Sequence, residues 1–208
     1  MINLEEHNRF MTSAYVLALV AQGRRGPAVL DWGGACADYL LLANKLVPGA
    51  NFQWHCVEVP EICALGRKVN PAAIYYSDES WRCAQYDLCY SSSAIQYIEH
   101  WQALVRKLAD ASSEWFFVTR IPVVLSASSY VFEQRTPQYH TFYQGWAFNH
   151  DELVAVVVQQ GFELFQEFLL GRWMPVYGAP EQPVTMGILF RRRKSTAFNK
   201  SKNPLTPE

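Results

Sequence analysis

Asp31 ends the apolar run 28–32 and is followed at once by Gly33-Gly34-Ala35-Cys36-Ala37. A carboxylate there can hold a cationic or hydroxyl-bearing group, and such small residues let backbone approach a ligand closely. Taken alone, the pattern describes a tight strand-to-helix turn equally well. Glu58 lies at the end of the next run, 52–59, where nucleotide-binding sheets keep a carboxylate that accepts from ribose hydroxyls. An ion pair with Arg67 or Lys68 would also account for it. Asp78 and Trp81 follow a third run and offer a carboxylate for an adenine amino group and an indole for its face, although such a Trp often only covers a core. Ser91 and Ser92, with Ser93, end the fourth, as small hydroxyls suited to a cleft floor.

These residues share one placement, just after strands, and in open α/β sheets ligands bind beyond the carboxyl ends of the strands. The elements that must position them alternate in type. Apolar spacing predicts a helix over 6–22, closed by Gly23 and Gly26-Pro27, then a strand at 28–32 and a helix at 40–46 before Pro48-Gly49. Strands follow at 52–59, 72–76, 86–91 and 115–121, with helices opening at Pro60 and centred on 101–108. After Pro122 the periodicity lapses for some 25 residues, which reads as a long loop of the kind often used for function. A helix at 151–160 and two strands at 162–170 and 184–190, paired with each other, complete the chain. The expected fold is therefore α/β: a Rossmann-like sheet of seven strands, mostly parallel, with an antiparallel C-terminal pair and flanking helices.

Composition narrows the function. The chain has 208 residues, 50% hydrophobic and 14% aromatic, enough for one domain with a sizeable core. The net charge of -1 conceals six basic residues, Arg191 to Lys194, Lys200 and Lys202, in the last stretch, so the preceding body is acidic and is not expected to bind nucleic acid. Five cysteines form no CxxC pair and no zinc spacing, so no metal is expected and free thiols in a reducing compartment are. The acidic start is unlike a signal peptide and no run reaches the roughly 18 apolar residues of a membrane span, which leads to a cytoplasmic expectation. The division expected is an N-terminal helix over 1–25, a binding domain over 26–190 and a disordered basic tail over 191–208.

In their order these signals resemble the class I S-adenosylmethionine (SAM)-dependent methyltransferases. The chain is similar, more narrowly, to a family of bacterial methyltransferases through Leu30-Asp31-Trp32-Gly33-Gly34, Val57-Glu58-Val59-Pro60, Ser91 to Ile98 and Thr119-Arg120-Ile121-Pro122, over about residues 26–190. The resemblance implies SAM as cofactor, with Asp31, Gly33 and Gly34 at its methionine part, Glu58 at the ribose, Asp78 at the adenine, and Ser91 and Ser92 on the cleft floor. It also implies a small-molecule or glycan-related acceptor. One departure stands out: Ala35 and Ala37 occupy positions where the family's loop has glycines, and an alanine at positive φ costs on the order of 1 kcal/mol.

On the acceptor side, a hydroxyl benefits from a general base. The aromatic-rich segment after Pro122 offers His140, Tyr143, His150 and Glu133, with Arg120 able to hold an anionic group. His140, among Tyr139, Phe142, Tyr143 and Trp146, is the expected base for O-methylation, while His150 and Asn149 are placed to start a helix. Two other readings stay open: a methyltransferase-like module that binds a partner without catalysis, and an NAD-dependent Rossmann enzyme, against which stands the missing GxGxxG.

Overall fold

The computed structural model describes residues 4–136, 141–173 and 175–194. One sheet runs through it in the order β3-β2-β1-β4-β5. Strands β1 (Ala28–Trp32), β2 (Gln53–Val57), β3 (Ile74–Tyr76), β4 (Tyr86–Ser92) and β5 (Ser112–Val124) all pair in parallel. Past β5, β9 (Val184–Arg192) pairs antiparallel with it, and β8 (Phe162–Arg172) pairs antiparallel with β9.

Side-chain alternation explains why the central strands are apolar throughout. Val29, Leu88, Tyr90 and Phe117 face one layer of core, shared with Val16, Leu17 and Val20 of α1 (Leu4–Ala21), Leu40 and Ala43 of α2 (Asp38–Leu46) and Cys63 of α3 (Pro60–Val69). Their immediate neighbours Leu30, Cys89, Phe116 and Val118 face the other, against Trp101, Val105 and Leu108 of α4 (Trp101–Ala111) and Leu153 and Val157 of α5 (His150–Val158). Strands buried on both faces carry apolar residues at every position, which is the signature of a parallel sheet between helical layers. The seven strands and five helices expected from the sequence are thus in place, with the helices on both faces.

One expectation is corrected. The stretch after Pro122 is not a long loop: β5 continues to Val124, and a hairpin of β6 (Tyr130–Thr136) and β7 (Thr141–Asn149) follows, giving nine strands among the described residues. Its position follows from the ladders. On one edge of β5 the partner is β9 as far as Val123; on the other, β4 stops at Thr119 and β7 takes over in parallel at Val123 and Val124. The hairpin therefore stands above the carboxyl end of β4, over the edge where the candidate residues lie. Tyr, Val, Phe and Thr recur in both strands or one of them, a composition that suits a pleated surface.

Arg191 and Arg192, the first residues of the expected tail, belong to β9. The Arg192 guanidinium donates to the carbonyls of Ala109 (2.7 Å), Ser112 (2.6 Å) and Gln160 (3.3 Å) and lies 4.4 Å from the Phe162 ring centre. It thereby satisfies carbonyls at the ends of both α4 and α5, which a helix otherwise leaves open. Arg192→Met keeps the stem and removes these donors, so it is expected to lower stability by about 2 kcal/mol, measured by urea unfolding.

Candidate functional site

Asp31 has no exposed surface. Its Oδ2 accepts from the Trp54 indole N–H at 3.1 Å, and its Oδ1 is buried with no hydrogen-bond partner among the described residues. A carboxylate so enclosed loses its hydration, and burial lifts its pKa from 3.8 to about 7, against the Trp54 hydrogen bond and with help from the charges of Glu58 and Asp38. Gly34 is what allows the arrangement, because a β-carbon there would collide with the Asp31 carboxyl group. A β-carbon on Gly33 would likewise strike Ala94, so the loop after β1 and the segment after β4 approach as closely as a bare backbone permits.

The backbone of the loop is unusual in its signs. Gly33, Ala35 and Ala37 have φ of 72°, 50° and 58°, so left-handed residues alternate with others. The two alanines thus take the conformation that glycine would favour, at a cost of about 1–2 kcal/mol each. The methyl of Ala37 is buried in the core beside Leu40 and Ala43, whereas Ala35 is exposed. Side chains from the neighbouring elements hold the shape. Glu58 accepts from the Ala35 N–H (3.1 Å), Asn70 donates to the carbonyls of Cys36 (3.1 Å) and Ala37 (3.0 Å), and the Tyr75 hydroxyl donates to Cys36 O (3.1 Å). Gly66 on α3 makes room for the Tyr75 ring. Sequence reading misses Asn70 and Tyr75, because each acts on a loop more than thirty residues away and carries no spacing signal of its own.

The other expected binding residues fall along the same edge. Glu58 uses one lone pair per oxygen, on Ala35 N–H and on Val59 N–H (3.0 Å), and can still accept from hydroxyls through the rest. Asp78 accepts from the N–H (2.9 Å) and hydroxyl of Ser80 and so starts the short 3₁₀ turn 79–83; these bonds lower its pKa. Trp81 is buried in the core and does not present a face to a ligand. Ser91 donates to Trp32 O (3.0 Å), tying the end of β4 to that of β1, and Ser92 shares a hydrogen bond with the Tyr39 hydroxyl (3.1 Å). Ser93, at φ 56°, gives its N–H to Thr119 O, and Gln96 Oε1 beside it is buried without a partner among the described residues. Of the five non-glycine residues at positive φ among those described, four (Ala35, Ala37, Ser93 and Arg120) lie at this edge. Backbone strain gathers where a fold holds a site in shape.

Above the cleft, Tyr97 packs edge-on against Tyr143 (5.2 Å between ring centres) and donates to Gln134 Oε1 (3.2 Å). Gln134 and Tyr143 face each other across the hairpin ladder and share a face; Glu133 falls on the opposite face, paired with Arg135 at 3.1 Å. Burial raises the Tyr97 pKa, Tyr143 adds to the rise, and nearby Arg120 opposes it. Arg120 sits at φ 55° where the β5–β9 register is interrupted. His140 lies outside the described residues. His150 is occupied elsewhere: it bonds Asp151 (2.8 Å) and Glu167, and although burial lowers its pKa, these carboxylates raise it overall, while Asn149 caps α5 by accepting from Glu152 N–H. Cavities of about 780 and 330 Å³ lie nearby, one between β6 and residues 175–180 and one between Arg120 and the start of α1.

No family model matches the chain, and no curated protein matches it in sequence. Solved structures do. A SAM-dependent methyltransferase from Methanosarcina mazei aligns at TM-score 0.61 and 12% identity, over 81% of this chain and 93% of that one. Magnesium protoporphyrin IX methyltransferase from Synechocystis PCC 6803, with bound SAH, aligns at 0.55 and 14%, over 93% and 89%. A glycopeptide N-methyltransferase complexed with SAM aligns at 0.58 and 12%, over 87% and 92%. The chain therefore has the Rossmann-like fold of SAM-dependent methyltransferases.

The left-handed alanines make a direct test of the loop. Ala35→Gly relieves strain at an exposed position and is expected to stabilise by about 0.5–1 kcal/mol in urea unfolding. Ala37→Gly gains the same relief but loses a buried methyl worth about 0.8 kcal/mol, so its midpoint should stay nearly unchanged.

Proposed function

We propose that this protein is a SAM-dependent methyltransferase acting on a small-molecule or glycan-related acceptor, with oxygen as the methylated atom. The observation that carries the reading is the buried Asp31 carboxylate with one oxygen unpartnered, set against a loop held in left-handed turns at the carboxyl edge of the sheet. An uncompensated buried acceptor of this kind draws positive charge toward the turn that encloses it, and the bare backbone of Gly33 and Gly34 lets the amino acid end of a ligand come close. The residues present fit the cofactor: Asp31 with the Gly33-Gly34 cradle for the methionine part, Glu58 with spare lone pairs for ribose hydroxyls, Asp78 for the adenine edge, and Ser91 and Ser92 beneath. The similarity to methyltransferase structures, one complexed with SAM and acting on a glycopeptide by its name, supports both cofactor and acceptor class.

SAM supplies a methyl group already activated by its sulfonium, so the protein needs mainly to align the acceptor. Tyr97 and Tyr143, packed edge-on against each other, are the proposed wall of the acceptor side. His140 is the proposed base that would take the proton of the acceptor hydroxyl. Full methyl transfer by a His140→Ala variant would remove that assignment.

The cofactor reading is tested by mass spectrometry of the purified protein and by calorimetry with SAM and its demethylated product. Binding of both is expected, and binding of neither overturns the proposal. Asp31→Asn should weaken SAM binding by about tenfold or more. The same variant carries a pH signature in the ligand-free protein. Since the folded pKa is about 7 and the ordinary value 3.8, protonated Asp31 favours the folded state; this contribution is complete below about 4 and is lost as pH rises through 7. Thermal unfolding should therefore show a fall in wild-type stability between about pH 4 and pH 7 that Asp31→Asn lacks.

A further inference from the structure

Among the described residues the sheet has three open edges, and two of them are guarded. β3 is three residues long; β8 breaks register with β9 twice, and its Leu170 carbonyl accepts from Asn8 of α1 at 3.2 Å. Short strands, irregular pairing and cover are devices that keep an edge from adding another strand. β6 has none of them. Its seven residues, Tyr130 to Thr136, hold no proline or glycine, its ladder with β7 runs without interruption, and β7 is its only strand partner among the described residues. Along it lies the cavity of about 780 Å³, lined by the consecutive residues Tyr130 to Arg135 and, on the far side, by Trp173 and residues 175–180. No described residue of β7 lines this space, so it lies off the open edge of β6 and not over the face of the hairpin.

The charges on this edge complement themselves. Glu133 and Arg135 lie two residues apart, both exposed, on the face of β6 opposite to Phe132, and pair with each other at 3.1 Å. An exposed pair of this kind contributes little to the fold by itself. Two copies of β6 laid antiparallel about a two-fold axis at Gln134 place Glu133 of each directly opposite Arg135 of the other, so opposite charges meet twice. Centring the axis on Glu133 or on Arg135 sets a charge against its own copy, and the charges therefore select one register. Trp173 and Val176 pack on the Phe132 half of their own strand. In the paired strands the two Phe132 halves lie on opposite sides of the axis, so these segments do not contend for one place.

We propose that the open edge of β6 is a dimer interface, occupied by β6 of a second copy of this chain in antiparallel register about Gln134. The main-chain N–H and C=O groups on that edge then gain partners, and the two hairpins form one four-stranded sheet. Gln134 accepts from Tyr97 at 3.2 Å, so the axis passes beside the roof of each cleft. The interface does not rest on the methyltransferase reading, and its test uses no SAM.

Sedimentation velocity of the full chain over a dilution series is expected to show a species of twice the 23.8 kDa chain mass that dissociates on dilution and with added salt. Glu133→Arg and Arg135→Glu each set like charges opposite one another and should weaken association about tenfold or more. The double variant, which exchanges the two charges, should associate as the wild type does. An equimolar mixture of the two single variants gives the sharpest readout: a chain with arginine at both positions meets one with glutamate at both, so the mixture should dimerise where neither variant does alone. Loss of the ion pair within one strand would not be repaired by mixing. Amide hydrogen exchange over 131–135 should slow as the wild-type concentration rises. Circular dichroism of each variant reports whether it folds, and one that does not is replaced by Glu133→Lys or Arg135→Asp. The interface is disproved by a wild type that stays monomeric, by single variants that associate as the wild type does, by a mixture that stays monomeric, or by a dimer in which 131–135 exchange as fast as in the monomer.

Discussion

A carboxylate shut away from water organises this molecule. Asp31 lies two residues along β1 from Val29 and so faces the same layer of α1, α2 and α3, and its one hydrogen-bond partner among the described residues is the Trp54 indole. Burying such a group demands that everything around it be placed for it: Trp54 on the adjacent strand, a residue without a β-carbon at 34, and a helix start at Asp38 that follows directly. The start of α2 has no side-chain cap, so no side chain competes for its first N–H groups where the loop turns. The site is thus assembled around a carboxyl group with only one of its oxygens partnered among the described residues, and the fold is the means by which its surroundings stay in place.

The same logic governs the backbone. Alanines in the left-handed region would relax if they could, yet Glu58, Asn70 and Tyr75 reach in from beyond β2, from the end of α3 and from β3 to fix the carbonyls and N–H groups between them. The strand β3 meets β1 only through β2, so the geometry of the loop depends on half the sheet being correctly registered. The strain is local and its support is distributed. A loop held this way does not have to be ordered by its ligand, and the entropy of ordering is lost during folding instead of binding.

Much of this is legible in the chain. Runs such as Val29-Leu30 and Phe116-Phe117-Val118, apolar at every position, announce a sheet covered on both faces, and Gly23, Pro48-Gly49 and Gly161 mark where its helices stop. Asp31, Glu58 and Ser91 can be found because a ligand edge follows from topology and they end three neighbouring strands. The hairpin escapes such a reading because alternation along Tyr130 to Thr136 is weak: Val131 is apolar on a polar face and Gln134 polar on an apolar one. Between its strands the sequence from Pro137 to His140 holds neither the Asn-Gly nor the Asp-Gly pair that signals a tight turn. Trp81 is legible only as an aromatic near a ligand edge; its burial depends on Tyr86 and α4 packing around it, which no local pattern reports. Arg192 reads as part of a basic tail because charge says nothing about the three carbonyls it serves.

The division of labour along β5 has a broader meaning. Its lower length is laced to β4 and its upper end to β7, and the hairpin meets the main sheet's ladder only at Val123 and Val124. The strands that present Asp31 and Glu58 share no ladder with it. Such a joint behaves as a socket: the hairpin can be shortened, lengthened or given a different outer face while the loop after β1 keeps its registration, so one platform of fixed geometry can carry many different roofs.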